Sequence, residues 1–565
     1  MPGEERPIKT ASRKSEKRRA KDRGSKTAPL DNQPGAARSV AWISAILATA
    51  AIFLLHIRFM NHAGALWRDE VSMIDLAGAP SLGELWRSLE YDSFPVLSLL
   101  LTRLWSGTGW GASDSGLRGF GLLVGVAILG ALWLNARRPR RSPPVISLLL
   151  FGLSPLAIRV GDAVRPYGLG IFFILLTFGL VWRFVEKPTP VRFAAASLAA
   201  VLSAQSLYQN AFLILAVCLG GMTVTLRNGM LKRSAAVAGI GLAAALSLVP
   251  YLGIIKKAQD WAILNQSPVD LELIWGVLSE ALSAPAPFML WVWGGLFIVG
   301  FFIPVFYFFK PPSGASEQEA DMALFGATTM VTGAVGFIFF LEWAGVPPQP
   351  WYFLPMMGVA AVSVDAILSG KMERSVWGPA FSLLMIPFLL FPVWQKVPMR
   401  QTNIDLVAFK LQESAKKEDM IVLSDWYYGV SFQRYYKGEA SWGAIPPIED
   451  LTIHRYDLLK KQMASPDPIQ PVLSKIAETL TAGNRVWLVG LFPAVQMGET
   501  PIPLPPAPHP EYGWNNGPYL WSWKRQAVHF IQSRADQAEL FSAPLETPTN
   551  PFENLPVVMV KGWKP

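Results

Sequence analysis

Two short clusters hold the residues best suited to chemistry. Trp67-Arg68-Asp69-Glu70 follows directly on the first long apolar run, and Asp162-Ala163-Val164-Arg165-Pro166-Tyr167 sits in a brief polar break between two later runs. A carboxylate at a bilayer boundary is partly desolvated, which raises its pKa and makes it a better base. A guanidinium at the same depth presents a planar fork of donors suited to phosphate oxygens. Each cluster also has a plainer reading. Asp69 and Glu70 fit two solvated loop acids or an aspartate capping the next helix. Arg165 fits a snorkelling cation beside an interfacial tyrosine, and Pro166 fits the first turn of the helix that follows.

Composition says what kind of scaffold must hold them. Of the 565 residues, 51% are apolar and 16% charged, with 22 Trp and 32 Phe. Runs near the ~20 residues that cross a bilayer recur through the first two thirds. That excludes disordered, collagen-like and disulfide-rich scaffolds and predicts a polytopic α-helical membrane protein. The expected spans are 40–60, 117–136, 145–160, 168–185, 193–208, 211–226, 234–255, 287–309, 322–341, 352–369 and 376–394, about eleven in all. With a cytoplasmic N-terminus, Arg137, Arg138, Arg140, Arg141, Lys187, Arg192, Arg227, Lys232, Arg233, Lys310, Lys371 and Arg374 fall inside. The short outer connections near 162–167, 209–210 and 342–351 contain only Arg165. Positive charge thus lies inside, as insertion requires.

Residues 1–39 carry eleven Lys/Arg against five Asp/Glu and almost no large apolar side chain. They are expected to be a disordered basic cytosolic tail attracted to anionic lipid, with no nucleic-acid partner. The transmembrane domain runs over 40–396. Its first external loop, 61–116, contains Ser81-Leu-Gly-Glu84, a helix-start pattern, with Leu82, Leu85, Trp86 and Leu89 on one helical face. That helix, and a second over 94–105, are expected to lie in the membrane plane. Residues 397–565 then form a small extracytoplasmic α/β domain. Its expected parts are a helix at NIDLVAFKLQESAKK, buried strands at MIVLS, RVWLVG and PVVMV, and a Pro-rich loop at 501–518. The lone Cys218 makes no intramolecular disulfide, and His454, His509 and His529 show no metal-ligand spacing. Neither a metal nor a cofactor is expected.

An outward-facing acid and an outward-facing cation at one bilayer boundary suit a lipid phosphate. The acid deprotonates a hydroxyl and the cation stabilises a departing phosphate. This is the chemistry of glycosyl transfer from a lipid-phosphate sugar. LWRDEVSMIDLA after the first span, the in-plane helix pair and the RPYGL turn together resemble the GT-C membrane glycosyltransferases. More narrowly, 40–400 resembles the protein O-mannosyltransferase and aminoarabinose transferase superfamily. The resemblance implies an inverting transferase of the bacterial inner membrane that uses a polyprenyl-phosphate-linked sugar as donor and a glycan, lipid or protein hydroxyl as acceptor. It implies Asp69 as the base, Glu70 supporting it, and Arg165 with Tyr167 at the donor phosphate. Three places depart from the family pattern. Asp92-Ser-Phe-Pro95 stands where relatives have a basic residue before Pro-Pro, Ala163 where they often have an acid, with Asp162 one step away, and Trp351-Tyr352 where an Arg-Tyr is frequent.

Weaker candidates complete the set. Arg118 opens the second span and either ties the loop helices together or anchors at the interface. Lys256 and Lys257 suit lipid phosphate or simple snorkelling. Gln209 and Asn210 suit sugar hydroxyls or turn chemistry. Asp425 with Trp426, Tyr427 and Tyr428 suits sugar binding or domain packing. Two other function classes remain open: a lipid-linked sugar transporter without chemistry, and a scaffold whose external domain does the work. A transporter calls for acids near the bilayer midplane; Asp365 is the clearest acid within a span.

Overall fold

The computed structural model describes residues 34–136, 142–265, 268–309, 317–372, 376–496 and 498–564. Of the basic arm expected over 1–39, residues 1–33 lie outside the described residues, as do Arg137, Arg138, Arg140, Arg141, Lys310 and Arg374, whereas 34–39 are not disordered but form the start of the first helix. The first helix, α1, is Pro34–His62; α2 (Arg68–Ala77), α3 (Leu82–Ser88) and α4 (Leu97–Gly107) follow. Next come α5 (Asp114–Ala136) and a segment over 145–161 interrupted by a π-helical turn, Leu148–Gly152, whose last part is α6 (Pro155–Gly161). Then follow α7 (Pro166–Glu186), α8 (Pro190–Ala204), α9 (Asn210–Arg227), α10 (Leu231–Ser247), α11 (Leu252–Ala262) and α12 (Leu271–Leu282). The last helices of this part are α13 (Met289–Phe309), α14 (Glu317–Ala344), α15 (Leu354–Met372) and α16 (Trp377–Lys396).

Eight helical stretches among the described residues are long and apolar enough to cross a membrane, and α8 and Met289–Pro304 are shorter apolar helices. Each of the eleven expected spans falls on helix, although the one at 145–160 is broken by the π turn. The helix α12 was not anticipated. By contrast α3 and α4, of 7 and 11 residues, reach only ~10 and ~16 Å at 1.5 Å per residue, against ~30 Å of hydrocarbon. Ser81 Oγ accepts the Glu84 N–H at 3.1 Å and starts α3 as its sequence pattern suggests.

Small residues let the long helices approach closely. A methyl group added at Gly220 of α9 would lie 2.4 Å from Thr329 Oγ1 and 2.8 Å from the Phe325 carbonyl on α14. The bundle core is built from Leu, Ile, Val and Phe side chains, with Phe178, Phe325, Phe337 and Phe353 fully buried.

The C-terminal part is an α/β unit. It contains α17 (Ile404–Ser414), β1 (Met420–Ser424), α18 (Tyr428–Tyr435), β2 (Ser441–Ala444), α19 (Tyr456–Met463), α20 (Gln470–Thr481), β3 (Val486–Gly490), α21 (Asn516–Gln532), β4 (Ala535–Ser542) and β5 (Val557–Trp563). The sheet order is β2-β1-β3-β5-β4. The first three strands are parallel, with Met420 opposite both Ser441 and Val486. Strand β5 is antiparallel to β3, with Val486 opposite Val560, and to β4. Every residue of β1 and β3 is buried, as expected for strands covered on both faces.

This unit is fastened to the bundle beside the first loop. Asp114, at the start of α5, accepts from Arg434 Nη2 at 2.7 Å and from the Tyr435 hydroxyl at 2.6 Å. Tyr435 Oη in turn accepts the Leu66 N–H at 2.7 Å. Val430 packs with Leu66, Val71, Leu117 and Val164 in one buried cluster.

Candidate active site

Helix α2 begins at the point where the chain leaves α1, and its first turn is acidic, which suits the positive end of a helix dipole. Glu70 is fully buried and every contact it makes is structural. Its Oε1 accepts from Arg118 Nη1 at 2.5 Å and from the Val164 N–H at 2.9 Å. Its Oε2 accepts from Arg118 Nη2 at 2.9 Å and from the Trp67 N–H at 3.2 Å. One carboxylate thus joins α2, α5 and the 162–165 turn. Arg118 completes the joint by donating to the Ala65 carbonyl at 3.0 Å.

The joint brings the two sequence clusters together. Arg165, next to Val164, donates from Nη1 to the Asp69 carbonyl at 2.9 Å. Its guanidinium stacks 4.8 Å from the Phe94 ring centroid. Asp69, Arg165 and Tyr167 line one cavity of about 580 Å³, together with Leu156, Val160 and Trp351. Tyr167 stacks on Tyr352 with ring centroids 6.2 Å apart.

The C-terminal unit closes over Asp69. His454 Nε2 lies 3.7 Å from Asp69 Oδ1, and Arg68 Nε lies 3.7 Å from the same oxygen. Arg68 is held from the far side. Its guanidinium sits 4.4 Å from the Tyr427 ring centroid, and Glu553 Oε1 accepts from its Nη1 at 3.3 Å and its backbone N–H at 3.0 Å.

The charges around Asp69 reverse the direction expected from its sequence position. Burial pushes the carboxyl up, but Arg165, Arg68 and His454 hold it below the ordinary 3.8. Asp69 is therefore ionised across the physiological range. His454 is pushed down to about 4, chiefly by burial, with Asp69 opposing and the two arginines adding to the shift. Asp92 is raised by burial, against the pull of Arg165. Burial drives Glu553 up to about 7 despite its pairing with Arg68.

The remaining candidates lie elsewhere. Asp162 turns away from Asp69: both its oxygens meet His56 Nδ1, at 2.8 and 2.9 Å, in a buried pair. Gln209 donates to the Tyr352 carbonyl at 3.1 Å, and Asn210 to the Gly170 carbonyl at 2.9 Å, so both amides brace helices. Lys256 and Lys257 are exposed on α11 and do not line the cavity; Lys257 lies 3.7 Å from Glu90. Asp425 pairs with Lys524 at 3.0 Å and accepts from the Tyr427 hydroxyl at 2.7 Å, which is domain packing. Asp365 accepts from the Ser147 hydroxyl at 2.7 Å. No cluster of metal-ligating side chains occurs among the described residues.

Sequence reasoning did not place His454, Asp92 or Glu553 near Asp69, and it gave Arg68, although in the same cluster, no role. It also missed Arg159, which lines the cavity from α6. Arg159 alone carried a usable signal, as a cation inside an expected span.

No family model matches the chain, and no curated protein matches it. Among solved structures it is similar to ArnT from Cupriavidus metallidurans bound to undecaprenyl phosphate, at 12% identity and a TM-score of 0.49, over 79% of this chain and 92% of that one. The apo state of the same protein gives 12% identity and a TM-score of 0.47, over 80% and 93%. Arabinosyltransferase EmbB from Mycobacterium smegmatis gives 16% identity and a TM-score of 0.35, over 62% of this chain and 32% of that one. These structural neighbours are GT-C fold membrane glycosyltransferases, and likeness this distant is one of overall shape.

Proposed function

We propose that the chain is an inverting glycosyltransferase that moves a sugar from a polyprenyl-phosphate donor to an acceptor hydroxyl at the outer face of a bacterial inner membrane. The observation that carries this reading is a single cavity. An ionised carboxylate, Asp69, and a guanidinium, Arg165, both line it, and most of its remaining wall is apolar. A cavity with a few convergent polar groups on an apolar wall suits an amphiphile with a charged head.

In this mechanism the acceptor oxygen attacks the anomeric carbon while Asp69 takes its proton. The bond from that carbon to the phosphate oxygen breaks, and the electron pair leaves with the polyprenyl phosphate. Arg165 stabilises the charge that grows on the leaving oxygen. Glu70 and Arg118 take no part in bond making; they set the distance between the two clusters. His454, Tyr456 and Trp426 of the C-terminal unit form the roof over Asp69.

The orientation follows from charge. Lys187, Arg192, Arg227, Lys232 and Arg233 sit at the ends of α7–α10 remote from the cavity. That end is cytoplasmic if positive charge stays inside. The test is transfer of label from a lipid-linked sugar pool by purified Asp69→Asn. Near-normal transfer by a folded variant would overturn the role of Asp69.

A further inference from the structure

Among the described residues, Arg159 is a cation without a partner. It stands in the last turn of α6 and lines the same cavity as Asp69 and Arg165. Its Nε is buried with no hydrogen-bond partner. Among the described residues no carboxylate, carbonyl or hydroxyl accepts from any of its nitrogens. Arg165 and Arg118 also have a buried Nε without a partner, but each is held through its Nη atoms. Arg165 donates from Nη1 to the Asp69 carbonyl, Arg118 pairs with Glu70, and Arg68 pairs with Glu553. Lys396, also on the cavity wall, donates to the Pro285 carbonyl at 2.9 Å.

A guanidinium half-sunk in an apolar wall is costly unless an anion completes it. The wall of that cavity contains Leu156, Val160, Pro285 and Met399, which suit a hydrocarbon chain, and one further carboxylate, Glu280. Free Nη donors match phosphate oxygens in two-point geometry. We propose that Arg159 binds the phosphate of a lipid phosphate ester, the sugar-linked diester or the monoester it releases, whose chain lies along this apolar wall. The inference rests on the glycosyl-transfer reading for the donor's identity, and it deepens that reading. Arg159 anchors the lipid phosphate in donor and product alike, while Arg165 responds to the charge that develops in transfer.

The test uses the full chain in phosphatidylcholine nanodiscs. The probes are undecaprenyl phosphate, undecaprenol and inorganic phosphate, and the readouts are affinity and thermal midpoint. Arg159→Gln is expected to weaken undecaprenyl phosphate at least tenfold, Arg159→Lys by less, and undecaprenol not at all. The ligand-free midpoint of Arg159→Gln is expected at or above that of the unaltered chain, because an unpartnered charge has gone. Affinity for undecaprenyl phosphate within twofold of the unaltered chain would overturn the proposal. So would a lowered ligand-free midpoint, which would make Arg159 a structural anchor. Inorganic phosphate binding as tightly as the lipid would overturn the lipid assignment. If binding depends on Arg159 but Asp69→Asn transfers sugar normally, the catalytic reading fails and the phosphate site stands. If Asp69→Asn is inert and Arg159→Gln binds normally, the reverse holds.

Discussion

Glu70 and Arg118 form a two-point ion pair, 2.5 and 2.9 Å, that is closed to solvent and has a helix on either side. The pair sits beside the candidate base yet contributes only position. Removing one partner strands the other as a buried charge. Arg118→Met should therefore cost about 3–5 kcal/mol, read as a large fall in thermal midpoint. The double variant Glu70→Gln/Arg118→Met should lose less than Arg118→Met alone. Additive losses would show that the two groups are not coupled.

Asp69 should behave as a base that is ionised before substrate arrives. Asp69→Asn is expected to lower kcat by about 10²–10⁴ with the donor KM changed little, because Asn keeps the shape and loses the proton acceptor. Arg165, Arg68 and His454 depress the carboxyl below 3.8. The acid limb of kcat/KM should then fall below that value, with no loss of rate between about pH 7 and pH 5. A limb near pH 6 would assign the proton to another group.

Much of the architecture could be read from the sequence because the bilayer imposes a length on apolar runs. The strands β1, β3 and β5 were visible because they are short apolar blocks. Strand β4, ADQAELFS, is mostly exposed and polar, so no apolar signal marks it, and β2 has four residues with a glycine among them. The two clusters at Asp69 and Arg165 were legible because charge is rare at a bilayer boundary. The direction of the Asp69 shift was not. It depends on Arg68 being aimed by Glu553 and on His454, nearly 400 residues away, and no periodicity links those positions. Glu70 was read as support for Asp69 from the family resemblance. Successive helical residues point to different sides, and Glu70 faces Arg118 while Asp69 faces the cavity.

His454 should make the folded state sensitive to mild acid. Its pKa falls from 6.5 to about 4 in the folded chain. Below pH 6.5 the unfolded chain takes up a proton that the folded chain refuses until about pH 4. The stability His454 contributes is therefore present above pH 6.5 and is lost as pH falls toward 4, by at most about 3 kcal/mol. Asp75 and Glu553, raised to about 6 and about 7, act in the opposite sense over part of this window. The decisive measurement is thus a difference. The midpoint gap between the unaltered chain and His454→Asn should shrink as pH falls from 6.5 to 4. A constant gap would place the imidazole in water in the folded state.

Gly125 tests whether the position of the 162–165 turn matters for chemistry. A methyl group at Gly125 of α5 would lie 2.1 Å from Asp162 Oδ1 and 2.6 Å from His56 Nδ1. Neither group can yield without breaking the buried pair. Asp162 is three residues from Arg165, and Val164 between them is bonded to Glu70. Gly125→Ala should therefore destabilise the chain by about 1–3 kcal/mol and lower transfer beyond what the lost stability explains, by moving Arg165 relative to Asp69. Gly130→Ala, on the same helix with nothing within 4 Å of the added methyl, is the control and should leave both unchanged or raise stability slightly. Equal activity in the two variants at a temperature where both are folded would mean that Arg165 keeps its place without the His56–Asp162 pair, and that the Glu70 joint alone positions the turn.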